Sequence, residues 1–317
     1  MKMTSAVTSK AILVPTSELD LDHVCVSGQT FRWQRDEDGW WMTPVGCAGT
    51  VMRVHRQDEK LIIESRGPLA ESAARSYFNF AVSMKEMRGH WERSGEGDLV
   101  RAIDNTPGLR IARQDPLECL FSFLCSSAAP IHRIRRSVDG MSRELGENLG
   151  SWHGVELFAF PDLESLSSAA KSDLDRLGLG FRGRYIIASA RYILAQGGRA
   201  WLDRLRGCSY SEAKAELMKL PGVGEKVADC VCLFSLDKHE AVPIDVHIAR
   251  VARRQFDQCE SFESVTPRAY AAMSGCFRER YGEYAGWAQQ YFFYEEIDRR
   301  GIWDQELKKH RPKMSGH

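Results

Sequence analysis

Lys226 and Asp245 are the two residues whose types and spacing most directly suggest chemistry. Lys226 closes the run Leu220, Pro221, Gly222, Val223, Gly224, Glu225, which lies between two apolar stripes. Ala213, Leu217 and Leu220 form the first stripe; Val227, Val231 and Phe234 form the second. Pro221 stops one helix, and Gly222 and Gly224 let the backbone turn sharply and come close to a partner. The turn opens straight into a second helix, whose free N–H groups and dipole attract an anion. No side chain of the turn could read a base, so the natural anion is a DNA phosphate. The pattern is that of a helix-hairpin-helix; a plain tight turn between helices is the alternative.

A hairpin alone implies DNA binding, not catalysis. Lys226, however, falls in the first turn of the second helix, where the positive end of the dipole favours a neutral, nucleophilic amine. Asp245 follows nineteen residues later, in residues 242–247 (VPIDVH), at the expected cap of the next helix. Read singly, Lys226 could be a solvated or phosphate-binding lysine and Asp245 a structural cap. Together, after such a hairpin, they suggest a lysine nucleophile with a carboxylate partner.

Composition narrows the setting. The 317 residues carry 43% hydrophobic and 27% charged side chains, ordinary for a globular chain with a sizeable core. A net charge of +0 argues against a non-specific nucleic-acid coat and leaves room for focused contacts. Charge is uneven: residues 131–136 (IHRIRR) are basic, as is the stretch with Arg182, Arg184, Arg191, Arg204 and Arg206, although a solvated helix face explains such runs too. No apolar run reaches the roughly 18 residues of a membrane span. Residues 1–14 lack the long apolar core and small-residue cleavage site of a secretion signal. The nine cysteines are scattered without metal-ligand spacing and read as reduced intracellular thiols, so no metal or other cofactor is expected.

The elements that must hold these residues change character along the chain. Residues 28–65 read as antiparallel strands: Phe31 and Trp33 alternate with Arg32 and Gln34, and residues 36–39 (DEDG) supply a turn. From about residue 72 the period is helical throughout. Asp115, Pro116 and Glu118 mark a helix start with a capping-box-like pattern, and Pro130 marks its limit. Further helices are expected at 172–177, 184–196, 211–220, 225–236 and 246–256. The expected class is α+β. Together with the resemblance carried by the segments below, this implies an antiparallel sheet domain with flanking helices over 12–104 and an all-helical helix-hairpin-helix core over 105–300; residues 301–317 form a basic tail expected to be disordered.

Six segments carry a resemblance. Residues 220–233 (LPGVGEKVADCVCL), 242–247 (VPIDVH), 27–33 (SGQTFRW), 113–127 (RQDPLECLFSFLCSS), 177–185 (LGLGFRGRY) and 284–289 (YAGWAQ) closely resemble the eukaryotic-type 8-oxoguanine DNA glycosylases. The similarity runs from about residue 16 to 296. It implies excision of 8-oxoguanine opposite cytosine from duplex DNA, then strand nicking by β-elimination. Lys226 would attack C1′ of a flipped nucleotide and form a Schiff base, and Asp245 would stabilise the cationic sugar.

The resemblance also implies a pocket. The Gly28 carbonyl would accept from N7–H, the proton that separates the lesion from guanine. Cys230 and Phe293 would flank the base, and Gln289 would bond its Watson–Crick edge. His247, Gly222 and Gly224 would meet phosphates, Phe181 would wedge beside the gap, and Arg133 and Arg182 would read the orphaned cytosine. Without the resemblance, Gly28 is a turn glycine, Cys230 and Phe293 are core, and His247 is structural. One departure stands out: Ala128, Ala129 and Pro130 replace three asparagines, the first of which helps fill the gap. The expected partner is lesion-containing double-stranded DNA, with no membrane, and the expected state is a monomer. The basic residues 308–313 weakly suggest the nucleus, with a mitochondrial form also open. The competing readings are a related glycosylase for other damaged purines, which Gly28, Cys230 and Lys226 together oppose, and a DNA-binding relative with weakened catalysis, which would lack Lys226 or Asp245.

Overall fold

The computed structural model of the chain describes residues 7–46, 49–67, 70–127, 129–299 and 301–309. Five strands, β1 (Val7–Leu13), β2 (Gln34–Arg35), β3 (Trp41–Val45), β4 (Thr50–Gln57) and β5 (Lys60–Arg66), form one antiparallel sheet in the order β1-β5-β4-β3-β2. Tight turns set its register. Gly39 has φ +82° between β2 and β3, and Asp58 has φ +53° between β4 and β5. Arg53, buried on β4, donates to Asp36 at 2.5 Å, Asp38 at 2.7 Å and Glu64 at 2.8 Å, which ties the β2–β3 turn to β5.

Helices follow, and three differences from the sequence reading have local causes. β1 is an edge strand with one neighbour and a mostly exposed burial pattern, so it lacks the two-sided alternation that marks a strand in sequence. Residues 28–33 are not a strand: Phe31, Arg32 and Trp33 are all buried, because the stretch is covered on both sides. The helical half contains a hairpin, β6 (Asn148–Trp152) and β7 (Val155–Phe158), turning at His153 (φ +44°) and Gly154 (φ +75°) and packing Leu157 against Met42 and Val51.

The expected tail is a further correction. Residues 302–309 form a helix, Ile302–Lys309, with Trp303 buried; its indole donates to Tyr294 O at 2.9 Å and stacks on the Tyr294 ring. Residues 310–317 lie outside the described residues. Glu118 also differs from expectation. Asp115 alone caps the helix Pro116–Leu124, accepting from Leu117 N and Glu118 N, while the Glu118 carboxylate turns to Arg32 at 3.0 Å. Burial raises the Glu118 carboxyl and the Arg32 charge opposes that shift.

One apolar core runs across the sheet and the helices, joining Val54 and Ile63 of the sheet to Leu120, Val231 and Trp287. Arg110, fully buried, secures the seam. It donates to the carbonyls of Phe78, Glu18, Asn79 and Val82 and pairs with the Glu18 carboxylate at 2.9 Å. Arg110→Ala strands four carbonyls and a carboxylate, and is expected to lower unfolding free energy by about 3–5 kcal/mol. Urea denaturation checks this; a loss below about 1 kcal/mol would mean that these groups find other partners.

Candidate active site and DNA interface

The hairpin forms as its sequence requires. Ser209 and Glu212 make a reciprocal capping box that starts the helix Tyr210–Leu217. The chain then turns through residues 218–224 into the helix Glu225–Ser235. Gly222 has φ +82°, and a Cβ there would lie 2.6 Å from Tyr185 Cγ, so both conformation and packing demand glycine. Gly224 is different: its φ is −97°, and a Cβ would meet nothing within 4 Å. As N-cap, Gly224 offers no side-chain bond to the helix, so the first N–H groups stay open to an outside acceptor.

Lys226, half-buried in that first turn, donates to Ser126 Oγ at 3.1 Å and lies 5.4 Å from the Phe123 ring centroid. Asp245 caps the helix Val246–Gln255 by accepting from His247 N and Ile248 N at 2.9 Å. Both bonds use Oδ1, which leaves Oδ2 available to the cavity that Asp245 lines. Among the described residues no ion pair joins Lys226 to Asp245, yet both border the same recess.

That recess brings together residues far apart in sequence. Gly28, Lys226, Cys230, Asp245, Gln289 and Phe293 all line it. It opens beside a cavity of about 1000 Å³, also lined by Gly28, Lys226, Asp245, His247 and Phe293. The recess itself adds about 50 Å³ to that cavity. Phe293, half-buried on its wall, stands edge-on to His247 at 6.0 Å and tilted against Trp303 at 6.3 Å.

The polar groups of the recess are few and fixed. Gly28 (φ +75°) is bracketed by Gln29, whose amide donates to Arg110 O and Ser27 Oγ and accepts from Ala112 N, while Gln29 O accepts from Gln114. Among the described residues nothing donates to the Gly28 carbonyl. A Cβ on Gly28 would come within 3.2 Å of Ile131 Cδ1 and 3.7 Å of Phe293 Cε1. Cys230 is buried and its thiol is pushed up to about 12, chiefly by burial, with Lys226 opposing; it is a neutral wall. Gln289 is buried, and among the described residues its Oε1 has no hydrogen-bond partner. An orphaned acceptor of this kind costs about 1–3 kcal/mol, which a ligand N–H would relieve.

The outer residues divide. Phe181 begins the helix Phe181–Ala195, is 53% exposed, and meets Tyr185 edge-on at 6.1 Å. Arg133 is exposed at the start of the helix Ile131–Leu145, next to the cavity wall. Arg182 corrects the sequence reading. It is buried, and four of its five N–H donors go to the carbonyls of Leu179, Cys125, Ser127 and Gly178. It braces the loop after the Pro116–Leu124 helix instead of facing out to a base. Ala128 lies outside the described residues; Ala129 is half-buried and Pro130 exposed.

Sequence reasoning missed Ser126, the hydroxyl that holds the Lys226 amine, and the helix Ile302–Lys309, whose Ile302, Gln305 and Glu306 line the cavity. Neither has a local pattern that sets it apart; Trp303 in a basic tail was the one visible hint. Asp36, Asp38 and His153 come within ligand distance of one another, but Arg53 already occupies both carboxylates.

Comparison with known proteins agrees with this geometry. Residues 11–120 match the family described as 8-oxoguanine DNA glycosylase, N-terminal domain. The chain is 36% identical over 289 residues to N-glycosylase/DNA lyase OGG1 of Arabidopsis thaliana, covering 89% of this chain and 78% of the relative. It is 30% identical to an N-glycosylase/DNA lyase of Saccharomyces cerevisiae, covering 90% and 85%. Among solved structures, the Clostridium acetobutylicum 8-oxoguanine glycosylase/lyase, bound to double-stranded DNA with cytosine opposite 8-oxoG, superposes with a TM-score of 0.78. It shares 28% identity and covers 89% of this chain and 93% of that one.

The two hairpin glycines separate folding from phosphate contact. Gly224→Ala is expected to leave the melting temperature unchanged while weakening binding to lesion and undamaged duplex alike. Gly222→Ala is expected to lower the melting temperature, because its Cβ collides with Tyr185. Equal behaviour of the two variants in calorimetry and duplex titration would refute the distinction.

Proposed function

The chain belongs to the OGG1-type 8-oxoguanine DNA glycosylases, and from that premise we propose that it excises 8-oxoguanine opposite cytosine and nicks the strand through a Lys226 Schiff base. The observation that carries the reading is the convergence of Gly28, Lys226, Cys230, Asp245, Gln289 and Phe293 on one recess. The damaged nucleotide is flipped from the stack, because its C1′ cannot be reached inside the duplex. Its base lies between the Cys230 thiol and the Phe293 ring. N7–H donates to the Gly28 carbonyl, where guanine would present a repelling lone pair, and Gln289 Oε1 takes a donor on the Watson–Crick edge.

Lys226 Nζ attacks C1′ as the C1′–N9 bond breaks and its electron pair leaves with the base. Asp245 stabilises the positive charge that develops on the sugar. Ring opening gives the Schiff base, and β-elimination then cuts the strand on the 3′ side. The open N–H groups at Gly224, with His247, grip phosphates, and Phe181 props the gap. The same reading has the enzyme act as a monomer on duplex DNA in the nucleus, with a mitochondrial form also open.

Lys226→Gln is expected to abolish borohydride-trapped adducts on an 8-oxoguanine·C duplex while retaining lesion binding. Covalent trapping by that variant would refute the assignment.

Opposite-base reading follows from the same geometry. With Arg182 held by backbone carbonyls and no asparagines at 128–130, Arg133 remains the exposed guanidinium for cytosine. Arg133→Ala should therefore flatten the preference among C, A, G and T in single-turnover excision. Restoring asparagine at 128, 129 and 130 should sharpen it, by about 0.5–1.5 kcal/mol per hydrogen bond regained. Unchanged ratios in both variants would show that cytosine is read elsewhere.

A further inference from the structure

Asp229 stands on the helix of the nucleophile, three residues beyond Lys226, and is fully buried. Three side chains donate to it: Tyr210 Oη at 2.7 Å, Lys214 Nζ at 2.9 Å and Tyr270 Oη at 2.5 Å. Tyr210 and Lys214 belong to the first helix of the hairpin, and Tyr270 to the helix Pro267–Tyr281. One carboxylate therefore joins three helices. Burial pushes the Asp229 carboxyl up from its ordinary range, and Lys214 with the two hydroxyls opposes that shift. An apolar residue would pack there without needing any of these donors.

Tyr270 carries the connection onward. A phenol has a single proton, and Tyr270 gives it to Asp229. Its oxygen is then an acceptor, and Ile244 N–H lies 3.3 Å away. Ile244 immediately precedes Asp245. Residues 242–245 belong to no helix or strand until the Asp245 cap, and Pro243 has no N–H to give. The Ile244 bond is thus the backbone tether nearest to Asp245 on its N-terminal side. A continuous path runs from the Lys226 helix through Asp229 Oδ2 and Tyr270 Oη to the amide of Ile244, the residue before Asp245.

We propose that Asp229 and Tyr270 are positioning residues that fix the Asp245 carboxylate relative to Lys226 across the recess. The inference rests on the assignment of Asp245 as the group that stabilises the charged sugar. Cap bonds from His247 and Ile248 set the height of Asp245 on its own helix. The Tyr270 tether sets where the preceding backbone lies against the neighbouring helix. A shift there moves Oδ2 away from the sugar while leaving the cap intact, and small displacements of a charge-stabilising group cost rate without costing binding.

The test uses the full chain and separates excision from the lyase step. Tyr270→Phe keeps the ring in the core and removes only the hydroxyl. Single-turnover excision of 8-oxoguanine opposite cytosine is expected to fall about tenfold, the scale of one hydrogen bond to a charged group. Duplex affinity should stay as in wild type. So should borohydride trapping at a preformed abasic site, which needs Lys226 but no cleavage of a base–sugar bond. Asp229→Asn, which retains one acceptor oxygen, should show the same selective loss in smaller degree. Asp245→Asn is the reference. If Tyr270 acts through Asp245, the double variant Tyr270→Phe/Asp245→Asn excises no more slowly than Asp245→Asn alone.

Additive losses in the double variant would overturn the proposal. So would wild-type excision by Tyr270→Phe and Asp229→Asn, or equal falls in excision and abasic-site trapping. Should Asp245→Asn itself excise at the wild-type rate, the assignment of Asp245 fails, and the positioning role fails with it. An impaired Asp245→Asn beside an unimpaired Tyr270→Phe rejects the tether alone.

Discussion

Residues 27–33 run through the interior between sheet and helices, and every polar group on them must find a partner away from water. That requirement places the site. Gln29 meets it with its own amide, spanning Ser27, Arg110 and Ala112, while Gln114 and Gln290 reach back to the main chain. Leaving any of these groups unpaired in the core would cost more than a formed bond returns, so the segment has little freedom. Gly28 lines the recess, and among the described residues nothing donates to its carbonyl, which leaves an acceptor that can discriminate one base from another. The same logic links the two halves of the chain, because the partners of Gln29 belong to the start of the helical region.

Among the described residues Gln289 Oε1 is buried without a bond, so the site gains from a ligand that supplies the missing donor. Phe293, half-buried on the recess wall, meets His247 and Trp303 of the C-terminal helix. Burial keeps the Cys230 thiol neutral on the opposite wall, so the base would meet a polarisable surface in place of a charge.

Charged side chains near the site fall into two physical kinds. Arg110, Arg182 and Asp229 are buried and spend their hydrogen-bonding capacity on the protein, stitching segments together. Arg133 is exposed, and the helix start at Gly224 has no side-chain cap. Sequence does not distinguish these kinds, since an arginine that braces a loop and one that meets DNA look alike when only spacing is visible.

The hairpin, and the placing of Lys226 and Asp245 at the starts of two helices, were legible in the sequence because they rest on local rules. Gly222 and Gly224 punctuate two apolar periods, Lys226 sits in the first turn of the second helix, and Asp245 caps the next helix, with Gly222 and Asp245 only 23 positions apart. The sheet-then-helices order was legible too, from the change of period near residue 72. The base pocket became legible only through resemblance, since Gly28, Cys230, Gln289 and Phe293 have plain structural readings one by one. Tertiary structure alone decided what depends on partners distant in sequence. It paired Ser126 with Lys226 across 100 positions and turned Arg182 inward to the carbonyls of Cys125 and Ser127. It folded the expected tail into a helix because Trp303 found Tyr294 to cover it. Local sequence sets which backbone shapes are cheap; which side chain satisfies which buried group depends on what the rest of the chain brings alongside.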